Sequence, residues 1–383
     1  MPNPETPPPN PTHALEDLRR EIDAIDEQIV ELLARRHGKV QSVVTIKKSL
    51  GLPVYHPARE EDLIYQRRQQ ARQAGLDPDH VEELYRCIVR QSRMRQTVHI
   101  SKHAVRPGTK ILIVGGRGRM GQYFGRWFGD AGYEIRILDI DDWPRVDELC
   151  AGIDLALVCV PIQVTPEVIR QLGPHLPKTA VLADICSLKK EPVAAMLAAH
   201  SGPVVGLHPL FGPTTSSMDK QIVVAAPGRD EPACGWLLEQ LAAWGNIIER
   251  IDAAEHDRIM DLVQGLRHFA TFAFGRYMAR RKVQLAQTLE LSSPIYRLEL
   301  GMVGRLFAQD AQLYANIIFA SPQRRAFVLD FIDSLVQSRQ LLEKSDTAQF
   351  CREFQEIADW FGPFCEQAMR ESSFLIDKLV ERF

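Results

Sequence analysis

The segment Gly116-Arg117-Gly118-Arg119-Met120-Gly121 constrains the fold more than any other part of the chain. The apolar run Lys110-Ile111-Leu112-Ile113-Val114-Gly115 leads into it. A second run, Tyr133-Glu134-Ile135-Arg136-Ile137-Leu138, follows and is closed by Asp139. Strand, glycine turn, helix, second strand and acid, in that order, form the βαβ unit with which an α/β sheet cradles a dinucleotide. In this unit Gly116 permits the tight turn, Gly118 lets the backbone approach the pyrophosphate, and Gly121 lets helix and strand pack closely. The helix start at Arg119 and Met120 offers backbone donors to the phosphates. Asp139 suits ribose hydroxyls and repels a 2′-phosphate, which favours NAD over NADP. Arg117, Arg119 and Arg136 weigh the other way.

Further strands are expected at 155–160, 180–184, 204–207, 221–226 and 247–251, with helices between them. This is the alternation of a mostly parallel α/β sheet. Upstream, Leu15, Leu18, Ile22, Ile25, Ile29 and Leu32 step by three and four, the seam of a long helix over 13–50. Gly51-Leu52-Pro53 ends it, and two more helices follow near 57–74 and 79–98. From Ala253 onward strand signals vanish and amphipathic stretches such as 254–280 and 323–343 predict an all-helical region. The expected organisation is a disordered tail (1–10), a helical domain (11–100), a linker (101–108), a dinucleotide-binding domain (109–252) and a helical domain (253–383).

Charge and cysteine usage narrow the function classes. Net charge is −3, and residues 11–100 carry 15 Lys+Arg against 14 Asp+Glu, so no basic field recruits nucleic acid or an anionic membrane. No apolar run approaches the roughly 20 residues of a membrane helix. The Pro-rich start has no basic segment and no apolar core, unlike a signal peptide. The 7 cysteines are odd in number and include no CxxC. Reduced thiols, a cytoplasmic location and no metal are the expectation.

Ligands of open α/β sheets sit beyond the carboxyl ends of strands. Two polar segments fall there: Asp184-Ile185-Cys186-Ser187-Leu188-Lys189, and Leu207-His208-Pro209-Leu210-Phe211-Gly212-Pro213. A His at a strand end before a stiff loop is an acid–base candidate, or a structural His. The second segment, Gln264-Gly265-Leu266-Arg267-His268-Phe269-Ala270, and the run from Leu291-Ser292-Ser293-Pro294 through Arg297 to Met302-Val303-Gly304-Arg305 resemble prephenate dehydrogenase over 108–320. The resemblance implies NAD-dependent oxidative decarboxylation of prephenate to 4-hydroxyphenylpyruvate. It makes His208 the acceptor of the substrate hydroxyl hydrogen and has Ser187 position His208 and substrate. Prephenate is a dianion and requires cationic partners. Arg305 matches the family's carboxylate-binding arginine. Arg297 is a second candidate or a structural helix-surface pair, and His268 a substrate contact or a packing residue.

Residues 11–100 resemble the all-helical type of chorismate mutase. The pattern is Leu18-Arg19-x-x-Ile22-Asp23-x-Ile25-Asp26, then Leu32-Leu33-Ala34-Arg35-Arg36, Lys47, Pro57-Ala58-Arg59-Glu60, and Ser92 and Gln96 on the third helix. The whole chain thus resembles bifunctional chorismate mutase–prephenate dehydrogenase. By that resemblance Arg19, Arg36 and Arg59 hold carboxylates, Glu60 a ring hydroxyl, and Lys47 and Gln96 the breaking ether oxygen. His56 stands where a common family variant has an acid. Geometry adds a constraint. Arg36 and Lys47 lie on one helix face about 16 Å apart, within reach of one small ligand, whereas Arg19 is about 25 Å from Arg36 along the same helix. If all three serve one site, Arg19 comes from a second copy, as in the family's interlocked homodimer. Feedback inhibition by tyrosine is a further implication of the resemblance.

Overall fold

The computed structural model describes residues 11–49, 56–100, 103–215 and 217–380. The Pro-rich tail and the Gly51-Leu52-Pro53 helix stop lie outside them.

Three helices come first: α1 (Pro11–Ser49), α2 (Pro57–Gln73) and α3 (Pro78–Ile100). Pro57 opens α2, where its missing N–H costs nothing. His56 is the N-cap, its Nδ1 accepting from the Arg59 amide at 3.3 Å, so the departure from the acid variant has a local structural role. The seam of α1 exists but is uncovered within one chain: Leu18, Ile22 and Ile25 are each 56% exposed. So much aligned apolar surface marks a face built for a partner.

The middle of the chain is a seven-stranded sheet ordered β2-β1-β3-β4-β5-β6-β7. The strands are β1 (Lys110–Val114), β2 (Glu134–Leu138), β3 (Leu155–Val158), β4 (Val181–Asp184), β5 (Val204–Pro209), β6 (Ile222–Arg229) and β7 (Ile247–Arg250). β2 through β5 run parallel, and β6 turns antiparallel to β5 with His208 opposite Val224. Helices α4 (Arg119–Asp130), α5 (Val146–Cys150), α6 (Thr165–Leu172), α7 (Lys190–Ala199) and α8 (Glu231–Ala243) cover both faces. Two cores result, one centred on Ile111, Phe124, Phe128 and Trp244, the other on Leu112, Val158, Ile169 and Met196. Burial on both faces explains why β1, β3 and β4 read as unbroken apolar runs. Because β1 pairs with β2 on one side and β3 on the other, the chain reverses direction across the sheet there, opening a crevice at the carboxyl ends of β1 and β3. The carboxyl ends of β4 and β5 lie along the same edge.

The rest is helical: α9 (Ala253–Met260), α10 (Arg267–Arg280), α11 (Leu285–Glu290), α12 (Pro294–Phe307), α13 (Ala311–Ile318), α14 (Pro322–Lys344), α15 (Thr347–Phe361) and α16 (Phe364–Val380). Side-chain caps from Asp252, Ser293, Asp310, Ser321 and Asp346 start five of them. The continuous helix expected over 254–280 is interrupted. Asp261–Leu266 forms a π-helical turn between α9 and α10, a local widening that recurs at functional sites. Among the described residues, no helix is long and apolar enough to cross a membrane.

Candidate active site

The dinucleotide turn leaves β1 through Gly115, not Gly116. Gly115 carries the positive φ of 77°, and a Cβ there would stand 2.8 Å from the Cys159 carbonyl oxygen. Gly121 is the helix–strand contact expected of it: its Cβ would lie 2.3 Å from the Gly115 oxygen. Gly118 is the N-cap of α4 and offers no side-chain cap, so the first-turn amides beside exposed Arg119 and half-buried Met120 are available to an anion. Asp139 ends β2 and folds back onto this turn, accepting the Arg117 amide at 2.9 Å. Of the three arginines that weighed toward NADP, Arg117 pairs with Asp142 at 2.9 Å. Arg136 pairs with Glu134 at 3.0 Å and caps the Ala151 carbonyl at 2.7 Å. The residues present fit a dinucleotide whose adenosine ribose is unphosphorylated.

His208 stands at the end of β5 and is buried. Its Nδ1 lies 2.9 Å from His256 Nε2, and His256 Nδ1 lies 2.8 Å from Asp257 Oδ1. The hydrogen-bond chain assigns the protons. The Asp257 carboxylate accepts from His256 Nδ1–H, so His256 Nε2 is the acceptor for His208 Nδ1–H, and the lone pair of His208 sits on Nε2. The Gln264 amide nitrogen, 3.2 Å from that Nε2, fits as its donor. Burial, His256, Lys189 and Arg324 together hold the His208 pKa well below the ordinary histidine value. Burial would raise Asp257, but the bonds from His256 and from the Lys189 and Lys190 amides (2.7 and 3.0 Å) keep it below the usual carboxylate range.

Lys189 anchors the strand itself. Fully buried, it donates from Nζ to Asp184 at 2.5 Å and to the Leu207 carbonyl at 2.7 Å, fixing the backbone one residue before His208. Ser187 is half-buried just beyond β4. Both His208 nitrogens have partners, His256 and Gln264, and no hydrogen bond joins Ser187 to the ring among the described residues. Its neighbours Cys186 and Leu188 instead line a cavity of about 440 Å³ with Ile162, Gln163, Gln312 and Asn316.

The expected anion contacts separate into three kinds. Arg305 on α12 is exposed and forms no ion pair among the described residues. Arg297 donates to the Leu289 carbonyl at 2.7 Å, tying α12 to the end of α11. His268 packs edge-on against Tyr314 at 4.9 Å. Burial, with Arg267 and Arg324, lowers its pKa to about 4, so it is no cation near neutrality.

In the helical module, Arg36 on α1 donates from Nη1 to Ser92 Oγ on α3 at 2.6 Å. Arg36 falls four residues after Leu32, in the register that continues the apolar seam, and there meets a polar partner, as the cost of an unpaired cation requires. Arg19 is exposed. Arg59 is exposed and paired with Asp62 at 2.8 Å, and Glu60 is bound by Arg93. Lys47 and Gln96 lie on α1 and α3, but their side chains fall outside the described part of the molecule.

Comparison with known proteins accounts for all three regions. Residues 18–97 match the chorismate mutase type II family, 132–250 the prephenate dehydrogenase nucleotide-binding domain, and 252–356 the prephenate dehydrogenase dimerization domain. The T-protein of Enterobacter agglomerans is 43% identical over 359 residues, spanning 94% of this chain and 96% of that one. The T-protein of Haemophilus influenzae is 42% identical over 365 residues, spanning 95% and 97%. The chain belongs to the T-protein family. A crystal structure of prephenate dehydrogenase from Aquifex aeolicus, 18% identical, covers 64% of this chain and 96% of that one at a TM-score of 0.50, and shares the fold of the covered part.

The family places a mutase module and a dehydrogenase in one chain, in the order read from the sequence. His256, Asp257, Gln264 and Lys189 escaped that reading. His256 is 48 residues from His208 and Gln264 is 56, and no local period signals such pairings. One signal was available: adjacent His256-Asp257 just after the Asp252 helix start, on the chain that returns from the sheet.

Proposed function

We propose that two separate sites divide the work of this bifunctional enzyme, which converts chorismate to prephenate and oxidatively decarboxylates prephenate with NAD. The carrying observation is the Asp257–His256–His208 chain, which ends in an unprotonated Nε2 on the sheet edge that also carries the dinucleotide turn.

In the dehydrogenase, NAD held by Gly115–Gly121 and Asp139 supplies the hydride acceptor. His208 Nε2 takes the hydrogen bond of the substrate's ring hydroxyl, displacing the Gln264 amide. Drawing that hydrogen toward Nε2 raises electron density on the carbon losing hydride. The ring carboxylate leaves as carbon dioxide, its bonding pair completes the aromatic ring, and the hydrogen stays with the phenol oxygen. His256 and Asp257 keep His208 in the tautomer that accepts, a positioning role. Arg305 receives one substrate carboxylate. Neutral His268 contributes contact rather than charge, and Ser187, just beyond β4, helps to position the substrate.

A pH profile tests this assignment. Protonated His208 cannot accept, so kcat/KM falls as pH drops through its pKa. That pKa is depressed, so the acid limb lies below the ordinary value of about 6.5 rather than at it. An acid limb at or above 6.5, with chemistry rate-limiting, contradicts the assignment. A second test concerns the cofactor. Asp139→Ser removes the acceptor facing the ribose hydroxyls, and KM for NAD is expected to rise about tenfold while NADP becomes usable. Unchanged NAD kinetics would remove Asp139 from the site.

In the mutase, Arg36, Arg59 and a second copy's Arg19 hold the carboxylates, Lys47 and Gln96 face the ether oxygen, and Glu60 takes the ring hydroxyl. Ser92 fixes Arg36. No covalent step is required, only a compact conformer and charge at the breaking bond. The uncovered seam of α1 and the match of 252–356 to a dimerization domain support a homodimer. We place the enzyme in the cytoplasm and infer feedback by tyrosine, which shares the aromatic ring of the product and lacks the ring carboxylate of prephenate. The division into 11–100, 109–252 and 253–383 follows these sites.

A further inference from the structure

Arg93 follows Ser92 on α3, and its guanidinium is enclosed by two carboxylates from different parts of the chain. Nη1 donates to both Glu60 oxygens, at 2.5 and 2.6 Å, and Nε to both Asp219 oxygens, at 3.0 and 3.2 Å. Side-chain exposure is 8% for Arg93, 17% for Glu60 and 8% for Asp219, so solvent does little to screen the set. Glu60 belongs to α2 of the mutase module. Asp219 belongs to the connection from β5 to β6, in the nucleotide-binding domain.

That connection is firmly anchored. Met218 is fully buried in the sheet core, and its carbonyl accepts from the Asn246 side chain at 3.1 Å. The Lys220 amide donates to Gly245 at 2.8 Å. Asp219 is therefore a fixed point. A guanidinium is planar and rigid, so pinning Nε on Asp219 fixes the direction of Nη1. Glu60, with three side-chain torsions on a surface helix, gains a defined orientation from it. Nη1 reaches each Glu60 oxygen once, and Lys220 of the same connection brings Nζ to 3.6 Å from Glu60 Oε2, which still leaves acceptor capacity on the carboxylate for a further donor such as a hydroxyl.

We infer that Arg93 is a positioning residue for the mutase acid Glu60, and that Asp219 of the nucleotide-binding domain completes it. The mutase site is thus aligned in part by the dehydrogenase half of the chain. The inference rests on the reading of Glu60 as a mutase residue, and its test separates the two.

The experiment uses the full chain carrying Asp219→Asn, assayed for chorismate rearrangement and for prephenate oxidation in one preparation. Asn keeps the shape and removes the charge that holds Nε. Mutase kcat/KM is expected to fall about tenfold, the worth of part of one charge-assisted hydrogen bond. The loss should fall on KM for chorismate, because Glu60 binds the hydroxyl in ground and transition states alike. Prephenate oxidation stays within about twofold and serves as the control for folding, and Asp219→Glu, which keeps the charge, recovers part of the loss. Unchanged mutase kinetics in Asp219→Asn, alongside a defect in Glu60→Gln, overturns the inference and leaves the mutase reading standing. A silent Glu60→Gln overturns the mutase reading itself. If Asp219→Asn loses both activities, Arg93→Lys decides. One ammonium cannot span both carboxylates, so the mutase defect must reappear with oxidation intact, and its failure to reappear refutes the role of Arg93.

Discussion

Replacing His208 with Asn abolishes prephenate oxidation and leaves chorismate rearrangement at its original rate. Asn keeps a polar group at the end of β5 but cannot place a lone pair where Nε2 stands. It also cannot continue the chain from Asp257 through His256. Positioned proton acceptors contribute about 10²- to 10⁴-fold to a rate, and the oxidation rate is expected to fall by that much. KM for NAD should change little, because Asp139 and the glycine turn lie on other strands. The two activities, measured in one preparation, decide the matter. Oxidation surviving within about tenfold of the parent would remove His208 from the chemistry.

Arg19→Ala and Arg36→Ala each eliminate chorismate rearrangement, yet a mixture of the two inactive proteins regains it. On the proposed assignment each arginine holds a carboxylate of a small dianion, and loss of such a contact costs a large part of both binding and rate. The two residues are about 25 Å apart along α1, so if both serve one site it takes Arg36 from one copy and Arg19 from the other. After subunit exchange a mixed dimer contains one doubly altered site and one intact site. About a quarter of the parental activity should therefore return. Recovery measured against mixing time checks this. A mixture that stays inactive, although exchange is shown by a labelled subunit, places both arginines in one copy's site.

The sequence disclosed the parts of this molecule whose causes are local. β1, the glycine turn, α4 and Asp139 form a unit within 30 residues, so spacing alone made this element order legible. One detail inside the unit was invisible: the positive φ falls on Gly115, where the turn passes close to the Cys159 carbonyl just beyond β3. The helices of the first module were legible from apolar steps of three and four, and Arg36 was legible as a cation inside the seam. What the sequence concealed depends on contacts between distant elements. The proton chain behind His208 is built from α9. The π turn that delivers Gln264 shows no sequence periodicity of its own. Ser187 lies on the expected sheet edge, yet the His208 ring is already held from the other side. His268 was open between substrate contact and packing, and only the fold sets it edge-on against Tyr314 with its pKa pushed down to about 4 by burial. Arg93 is one of the 15 cations that nearly balance 14 acids over residues 11–100, and only the packed chain joins it to Glu60 and Asp219.

The central claim is that one chain carries a working mutase and a working dehydrogenase. Purified protein supplied with chorismate and NAD, and with no other enzyme, tests it through the absorbance of NADH. NADH is expected to form after a lag while prephenate accumulates, and without a lag when prephenate is supplied instead. Oxidation of added prephenate with no NADH from chorismate would contradict the claim, leaving the dehydrogenase in place and reducing the helical module to a scaffold.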